Sequence, residues 1–382
     1  MFLRLTLKNA LRHRLRTSLT VLGIFIAILA FGLLATVVEA WYAGADNASS
    51  TRLVTRNSIS LVFPLPITYR EKLRQVEGVT GVSTANWFGG VYISEKNFFP
   101  QFAVDGETYF RLYPEYLVSE AALKDFMRDR KGAIVGRKLA TTYGWKVGDV
   151  VPLRGTIYAG NWEFVVRGIY DGRETKTDTS QFFFHWEYLN ENVKRLFPRR
   201  ANTVGVYVLG IDDPDRAADV SRIIDAQFRN SLAETLTETE KAFQLGFVAM
   251  TEAIVVAIRI VSYLVIFIIM AVMANTMAMS ARERLSEYAT LKALGFQPGW
   301  VGVLVLGESL LIALTGGALG VAATFPVARQ FAITMGTLFP VFHVSGRTVI
   351  LQLACAAVIG VVAAVAPAIR AGRVRIAEGL RA

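Results

Sequence analysis

The chain has 382 residues, 53% of them hydrophobic, with a mean hydropathy of +0.39, more apolar than an ordinary soluble domain. Its formal charge of +10 is unevenly spread: residues 42–247 carry 26 Lys and Arg against 25 Asp and Glu, which leaves 15 against 6 for the rest, out of 41 and 31 in all. The excess of basic residues sits at the ends of apolar runs rather than on a folded surface, which speaks for a membrane protein in contact with lipid and against nucleic-acid binding.

The first apolar run, Thr17 to Trp41, has no charge before Glu39, and about 20 residues suffice to cross a bilayer. It follows a basic segment, residues 1–16, with Arg4, Lys8, Arg12, Arg14 and Arg16. A cleaved signal peptide is the competing reading, yet its apolar core is only about 7–15 residues long, so an uncleaved span over 17–41 is expected.

Residues 42–247 are far too long for a loop and contain strand-like segments at 162–167 and 204–209. Helical signals lie at 67–76 and 215–228, and Lys138 to Arg154 reads as a helix ending in a Gly144/Gly148 turn that feeds a hairpin. An extracytoplasmic α+β domain inserted between the first two of four transmembrane helices is therefore expected. Most of the aromatics at Phe98, Phe99, Phe102 and Phe182–Phe184 belong to its core. Cys355 is the single cysteine, so this domain has no internal disulfide.

The second span is expected at 248–280, with a helical pattern that starts near Leu232; about 49 residues would reach roughly 70 Å, well beyond a ~30 Å hydrocarbon core. Gly246 is a candidate hinge in it. A loop at 281–300, a third span at 301–325, a short outer loop at 326–347, a fourth span at 348–368 and a tail at 369–382 complete the chain. Arg282, Arg284 and Lys292 in the 281–300 loop, and Arg370, Arg373, Arg375 and Arg381 in the tail, outnumber Arg329 and Arg347 of the outer loop. The positive-inside rule then places both termini and the 281–300 loop in the cytoplasm, with the large domain outside.

No catalytic or metal constellation is visible. The three histidines lack the HExxH spacing, CxxC is absent, and neither GxSxG nor GxxxxGK[ST] occurs, so no metal, cofactor or catalytic residue is assigned to this chain.

The stretch 281–298, Ala-Arg-Glu-Arg-Leu-Ser-Glu-Tyr-Ala-Thr-Leu-Lys-Ala-Leu-Gly-Phe-Gln-Pro, resembles the cytoplasmic loop after the second span of MacB/FtsX-type ABC transporter permeases. Gly307-Glu-Ser-Leu-Leu with Gly316, Gly317 and Gly320, the opening Asn9 to Thr20, and the closing Pro367 to Arg381 are similar to the same family in the same order. In the outer domain the likeness is thinner, resting on Ile134-Val-Gly-Arg, Asp149 and Phe164 to Ile169. The resemblance implies a dimer, either of identical copies or with a paralogue, served by cytoplasmic ABC ATPases that bind ATP and Mg. MacB carries its ATPase ahead of the first span on the same chain; with 16 residues here, a separate ATPase subunit is expected, in a bacterial inner membrane. A periplasmic adaptor and an outer-membrane duct join the partners where the envelope has two membranes.

Within the loop, Leu285, Tyr288, Ala289, Leu291 and Leu294 fall at helical spacing before Gly295 and Pro298, giving an amphipathic coupling helix. An interfacial helix lying in lipid headgroups is the plainer alternative. Together with the resemblance this nominates Glu283, Glu287, Tyr288, Leu291 and Lys292 for ATPase docking. Glu308, inside the third span, needs a partner or a route to the interface, because ionised groups are costly there. Gly316 and Gly320 form a GxxxG pair, and Ala356 and Gly360 a second small-residue pair, for close helix approach. Four spans with almost no internal charge make a poor hydrophilic conduit. The expected function is thus coupling of ATP hydrolysis to movement of the outer domain, for export or extraction of an amphiphilic or peptide-like substrate. The alternative is an FtsX-like regulator of a cell-wall hydrolase.

Overall fold

The computed structural model describes residues 12–334, 339 and 341–374; residues 1–11 with Arg4 and Lys8, and 375–382 with Arg375 and Arg381, lie outside the described residues. The chain divides into two compact units, one of residues 1–40, 251–334 and 342–382, the other of residues 41–250 and 335–341.

The membrane unit contains four helices long and apolar enough to span a bilayer: α1 (Arg14–Asp46), a helix at Glu252–Glu283, one at Pro298–Thr334 and one at Gly346–Arg373. At about 1.5 Å per residue each exceeds the ~30 Å hydrocarbon thickness. Exposed apolar side chains such as Ile26, Tyr263, Phe267, Ile268 and Val358 cover the outer surfaces of these helices, as lipid solvation requires.

The outer unit is a mixed α/β domain. Its strands are β1 (Arg52–Asn57), β2 (Leu65–Pro66), β3 (Val79–Trp87), β4 (Gly90–Val91), β5 (Gln101–Val104), β6 (Tyr116–Leu117), β7 (Gly132–Gly136), β8 (Val150–Gly155), β9 (Gly160–Gly172), β10 (Phe182–His185), β11 (Thr203–Val204), β12 (Val206–Ile211) and β13 (Thr235–Thr239). The main sheet runs β13-β1-β12-β3-β5-β10-β7-β9-β8-β4, with β5–β10 and β7–β9 parallel and the other neighbours antiparallel. Helices α2 (Tyr69–Arg74), α3 (Gly106–Leu112), α4 (Glu120–Arg128), α5 (Arg137–Tyr143), α6 (Trp186–Leu196) and α7 (Ala217–Gln227) join the strands, and α8 (Glu240–Met250) ends the domain. Asp105 caps α3 by accepting from the N–H groups of Glu107 and Thr108, and Ser119 caps α4 through Ala122. Gly144 ends α5 in the left-handed region and leads into the β8–β9 hairpin.

Strand alternation explains the core. On β10 all four residues are buried because both faces of the sheet are covered there: Phe182 and Phe184 pack with Phe88, Phe99, Trp162 and Phe164, while Phe183 packs on the other side with Tyr109, Phe110 and Tyr170. A further cluster joins Leu53, Val82 and Tyr207 to Val220 and Ile224 of α7 and to Phe228, which follows that helix. Of the six phenylalanines singled out in the sequence, Phe98 stands largely exposed and Phe102 is half-buried; the other four are core.

Two boundaries differ from expectation. The helix expected from Leu232 is preceded by a strand: in Thr235-Leu-Thr-Glu-Thr239 the threonines recur with period two, Thr235 and Thr237 are buried, and both hydroxyls donate to Asp225 Oδ1 at 2.8 Å. β-branched residues on alternating positions favour a strand, here paired to β1. Helix α8 then ends, and α9 (Glu252–Glu283) begins after Thr251, so the break lies there and Gly246 is inside α8. After α10 (Leu285–Ala293), helix α11 (Pro298–Thr334) runs through Pro326 into the segment expected as outer loop. A proline costs one backbone bond and is tolerated where neighbouring helices hold the chain. The fourth helix, α12 (Gly346–Arg373), starts at the cap Ser345, whose hydroxyl accepts from Thr348 N–H, and contains Pro367.

Candidate functional site

The residues nominated for coupling gather on α10 and the ends of the membrane helices. Arg284, between α9 and α10, is buried and donates in two directions: Nη1 to Glu308 Oε2 on α11 at 2.7 Å, and Nε to Glu287 Oε2 at 3.0 Å. Its guanidinium also lies 5.5 Å from the centre of the Tyr288 ring. The other Glu287 oxygen accepts from Arg12, ahead of α1. Arg16 Nη1 donates to Glu283 Oε2 at 2.7 Å, with His13 Nε2 3.8 Å from the same oxygen. Lys292 Nζ donates to the carbonyls of Gly372 and Val374 at 2.8 and 2.7 Å, where a cation meets the negative end of α12. The nine-residue helix and the two residues before it thus link to all four membrane helices: Glu283 of α9 to Arg16 of α1, Arg284 to Glu308 of α11, and Lys292 to the end of α12.

The electrostatics follow from this packing. Partial burial pushes the Glu287 carboxyl up, but the hydrogen bonds from Arg12 and Arg284 outweigh it and hold the group below the usual carboxylate range. Burial pushes the Tyr288 hydroxyl up to about 12, against the lowering influence of Arg284. Glu308 has the partner its cost demands, in a buried ion pair rather than in a route to the interface. A small cleft beside it is lined by His13, Thr17, Thr20 and Ser280.

The nominated residues therefore separate. Tyr288 is 2% exposed and belongs to the membrane unit's core; Leu291 and Lys292 are half-buried; Glu283 faces Arg16 of α1, and Glu287 faces Arg12 just ahead of it. The apolar side chains presented outward follow them: Leu294 at 72%, Phe296 at 43% and Trp300 at 50% exposure, beside Gly295 with its φ of +93°. Arg12, Arg16 and Arg284 were legible in the sequence only as charges. The signal for the last was its three-residue spacing to Glu287, a helical neighbour position.

Small residues bring the helices together. A Cβ on Gly316 or Gly320 would stand 2.9 or 3.0 Å from Ile24 or Ile28 of α1, one on Gly317 2.5 Å from Ala356, and one on Gly360 2.9 Å from Ala313. Ser309 donates to Gly360 O at 2.6 Å across the same contact. Deeper in the bundle Gln352 of α12, fully buried, donates from Nε2 to Ile28 O of α1 and to Thr324 Oγ1 of α11, each at 2.8 Å.

Comparison with known proteins agrees with these features. Residues 259–376 match the FtsX-like permease C-terminal family model, and residues 17–227 match the MacB-like periplasmic core domain. An uncharacterised ABC transporter permease of Methanocaldococcus jannaschii is 24% identical, over 98% of this chain and 96% of its own length. A probable export ATP-binding/permease protein of Pseudomonas fluorescens is 22% identical over 96% of this chain, which spans 58% of that longer relative. Among solved structures, the periplasmic region of MacB from Actinobacillus actinomycetemcomitans covers 52% of this chain and 94% of itself, at 9% identity and a TM-score of 0.38. With four spanning helices, a large domain inserted between the first and second, and a family model matched over more than half its length, the chain belongs to the MacB/FtsX-type family of ABC transporter permeases.

Proposed function

We propose that this chain docks a cytoplasmic ABC ATPase on the segment 282–300 and converts its nucleotide-driven closure into movement of the outer domain. The observation that carries this reading is the convergence on α10: Glu287 to Arg12, Arg284 to Glu308, Lys292 to the end of α12, and direct continuity with α9. A force applied at α10 reaches α9 through the chain itself and α1, α11 and α12 through charge-assisted bonds made by α10 and its flanking residues. The outward-facing Leu294, Phe296 and Trp300, with half-buried Leu291, supply the apolar contact for the ATPase, while Glu283, Glu287, Tyr288 and Lys292 hold the platform in place.

The ATPase is a separate subunit in this reading, and ATP and Mg are bound there. The chain lies in the cytoplasmic membrane with both termini inside, works as a dimer, and acts on an amphiphilic or peptide-like substrate on the outer side. The near-absence of charge along the four spans supports mechanical work outside over passage through the bundle. Co-purification of the ATPase with the full-length chain tests the docking. Leu291→Asp and Phe296→Asp are expected to reduce recovery of the ATPase at least about tenfold, since a carboxylate on an apolar contact costs over about 1.4 kcal/mol. Wild-type recovery with both variants would refute docking at this segment.

A further inference from the structure

Buried charge in the outer unit is concentrated at one place that α10 does not explain. Arg52, the first residue of β1, is 6% exposed and uses four of its donor directions. Nε donates to Glu240 Oε2 at 2.8 Å; Nη1 donates to Glu115 Oε2 at 3.0 Å and to Leu112 O at 2.9 Å; Nη2 donates to Glu115 Oε1 at 2.5 Å. The guanidinium lies over Tyr113, 4.1 Å from the ring centre. Glu240, 5% exposed, also accepts from Ser49 N–H at 2.9 Å.

The three partners come from three parts of the domain. Ser49 and Arg52 follow the end of α1, Glu240 opens α8 on the way to α9, and Leu112 to Glu115 form the turn between α3 and β6 in the body of the domain. Among the described residues of this unit, Arg52–Glu240 is the ion pair whose two side chains are both under a tenth exposed. Burying such a cluster is expensive, and well-packed apolar residues of similar volume give equal or greater stability. What a guanidinium fork adds is a fixed angle between the groups it bridges.

We infer that Arg52 is a positioning residue for coupling: it clamps the segment leaving α1 and the start of α8 to the α3–β6 turn, so that the chain connections through α1 and α8 move the outer sheet as one body. This rests on the mechanical reading of the family's function given above. The clamp needs no substrate contact.

The test uses the full-length chain with its ATPase in lipid nanodiscs, in a Cys355→Ser background, with spin labels at Ser50→Cys and Lys124→Cys, both exposed. The width of the label-to-label distance distribution is measured without nucleotide, and the mean distance again with MgATP and vanadate. The variant Arg52→Met/Glu115→Leu/Glu240→Met removes all three charges together, so that no buried charge is left unpaired. It is expected to melt like the parent while the distribution broadens about twofold and the mean distance shifts with nucleotide, whereas the clamped parent keeps its mean distance because it moves as one body; the fork that fixed the angle is gone in the variant. Arg52→Lys keeps the charge but loses the fork; an intermediate width is expected, and this variant decides the matter should the triple variant fail to fold. An unchanged width in the folded triple variant, or in Arg52→Lys when that alone folds, overturns the clamp. A folded triple variant that broadens without any nucleotide-dependent shift would count against the mechanical reading, and the nucleotide-free widths would still decide the clamp.

Discussion

Gly32 on α1 has no room for a side chain: a Cβ there would lie 2.0 Å from Gln352 Nε2 and 3.0 Å from Thr324 Oγ1. Gly32→Ala must push the amide off Ile28 O and Thr324, leaving it unpaired among apolar helices, at a cost of about 1–2 kcal/mol. Thermal unfolding in detergent should show that loss, and Gly32→Ala made on top of Gln352→Ala should be nearly neutral because the obstacle is gone; additive losses would refute the coupling. Glu287 carries a second prediction, set by pH. Its carboxyl is lower in the folded protein than in the unfolded chain, so its links to Arg12 and Arg284 contribute fully above the ordinary carboxylate range and are lost as pH falls through the lowered value. Stability of the membrane unit measured from neutral pH downward should therefore fall less steeply in Glu287→Gln than in the parent.

A helix with few internal advantages can still be held firmly, and α10 is such a case. It is nine residues long, too short to persist alone in water. What fixes it is external: Arg284 and Tyr288 at its start, Lys292 at its end. Lys292→Met keeps much of the apolar stem and removes both bonds to Gly372 and Val374. Faster amide hydrogen exchange is expected within 285–293 and 371–374, with α9 and α11 unchanged; protection equal to the parent in those two stretches would show that the lysine does not hold them. The existence of α10 was legible from its spacing and from the Gly295 and Pro298 that end it. Which of its side chains face inward was not, because Tyr288 and Leu294 lie on the same apolar pattern and only the position of α11 and α12 distinguishes the buried one from the exposed one. The same limit explains β13: its alternating threonines point to a strand only when β1 and Asp225 are there to receive them. Pro326 shows the converse, since a residue that ends helices in water is carried through α11.

On the scale of the whole chain, apolar length and charge asymmetry were sufficient to find four spans and an inserted domain, because the bilayer demands long uncharged segments and leaves little choice of architecture. The buried ion networks around Arg52 and Arg284 were not legible, as each joins residues far apart in sequence. Sidedness is a separate matter from the fold. The expected sidedness rests on the basic residues flanking α1, α10 and the end of α12, against the near-neutral 42–247 stretch. In a Cys355→Ser background, a membrane-impermeant maleimide applied to intact cells should label Lys124→Cys in the outer unit. Gln297→Cys, exposed between α10 and α11, should react only after permeabilisation. Labelling of both from the same side would leave the proposed ATPase platform and the outer domain in one compartment, and no force could then be passed across the membrane between them.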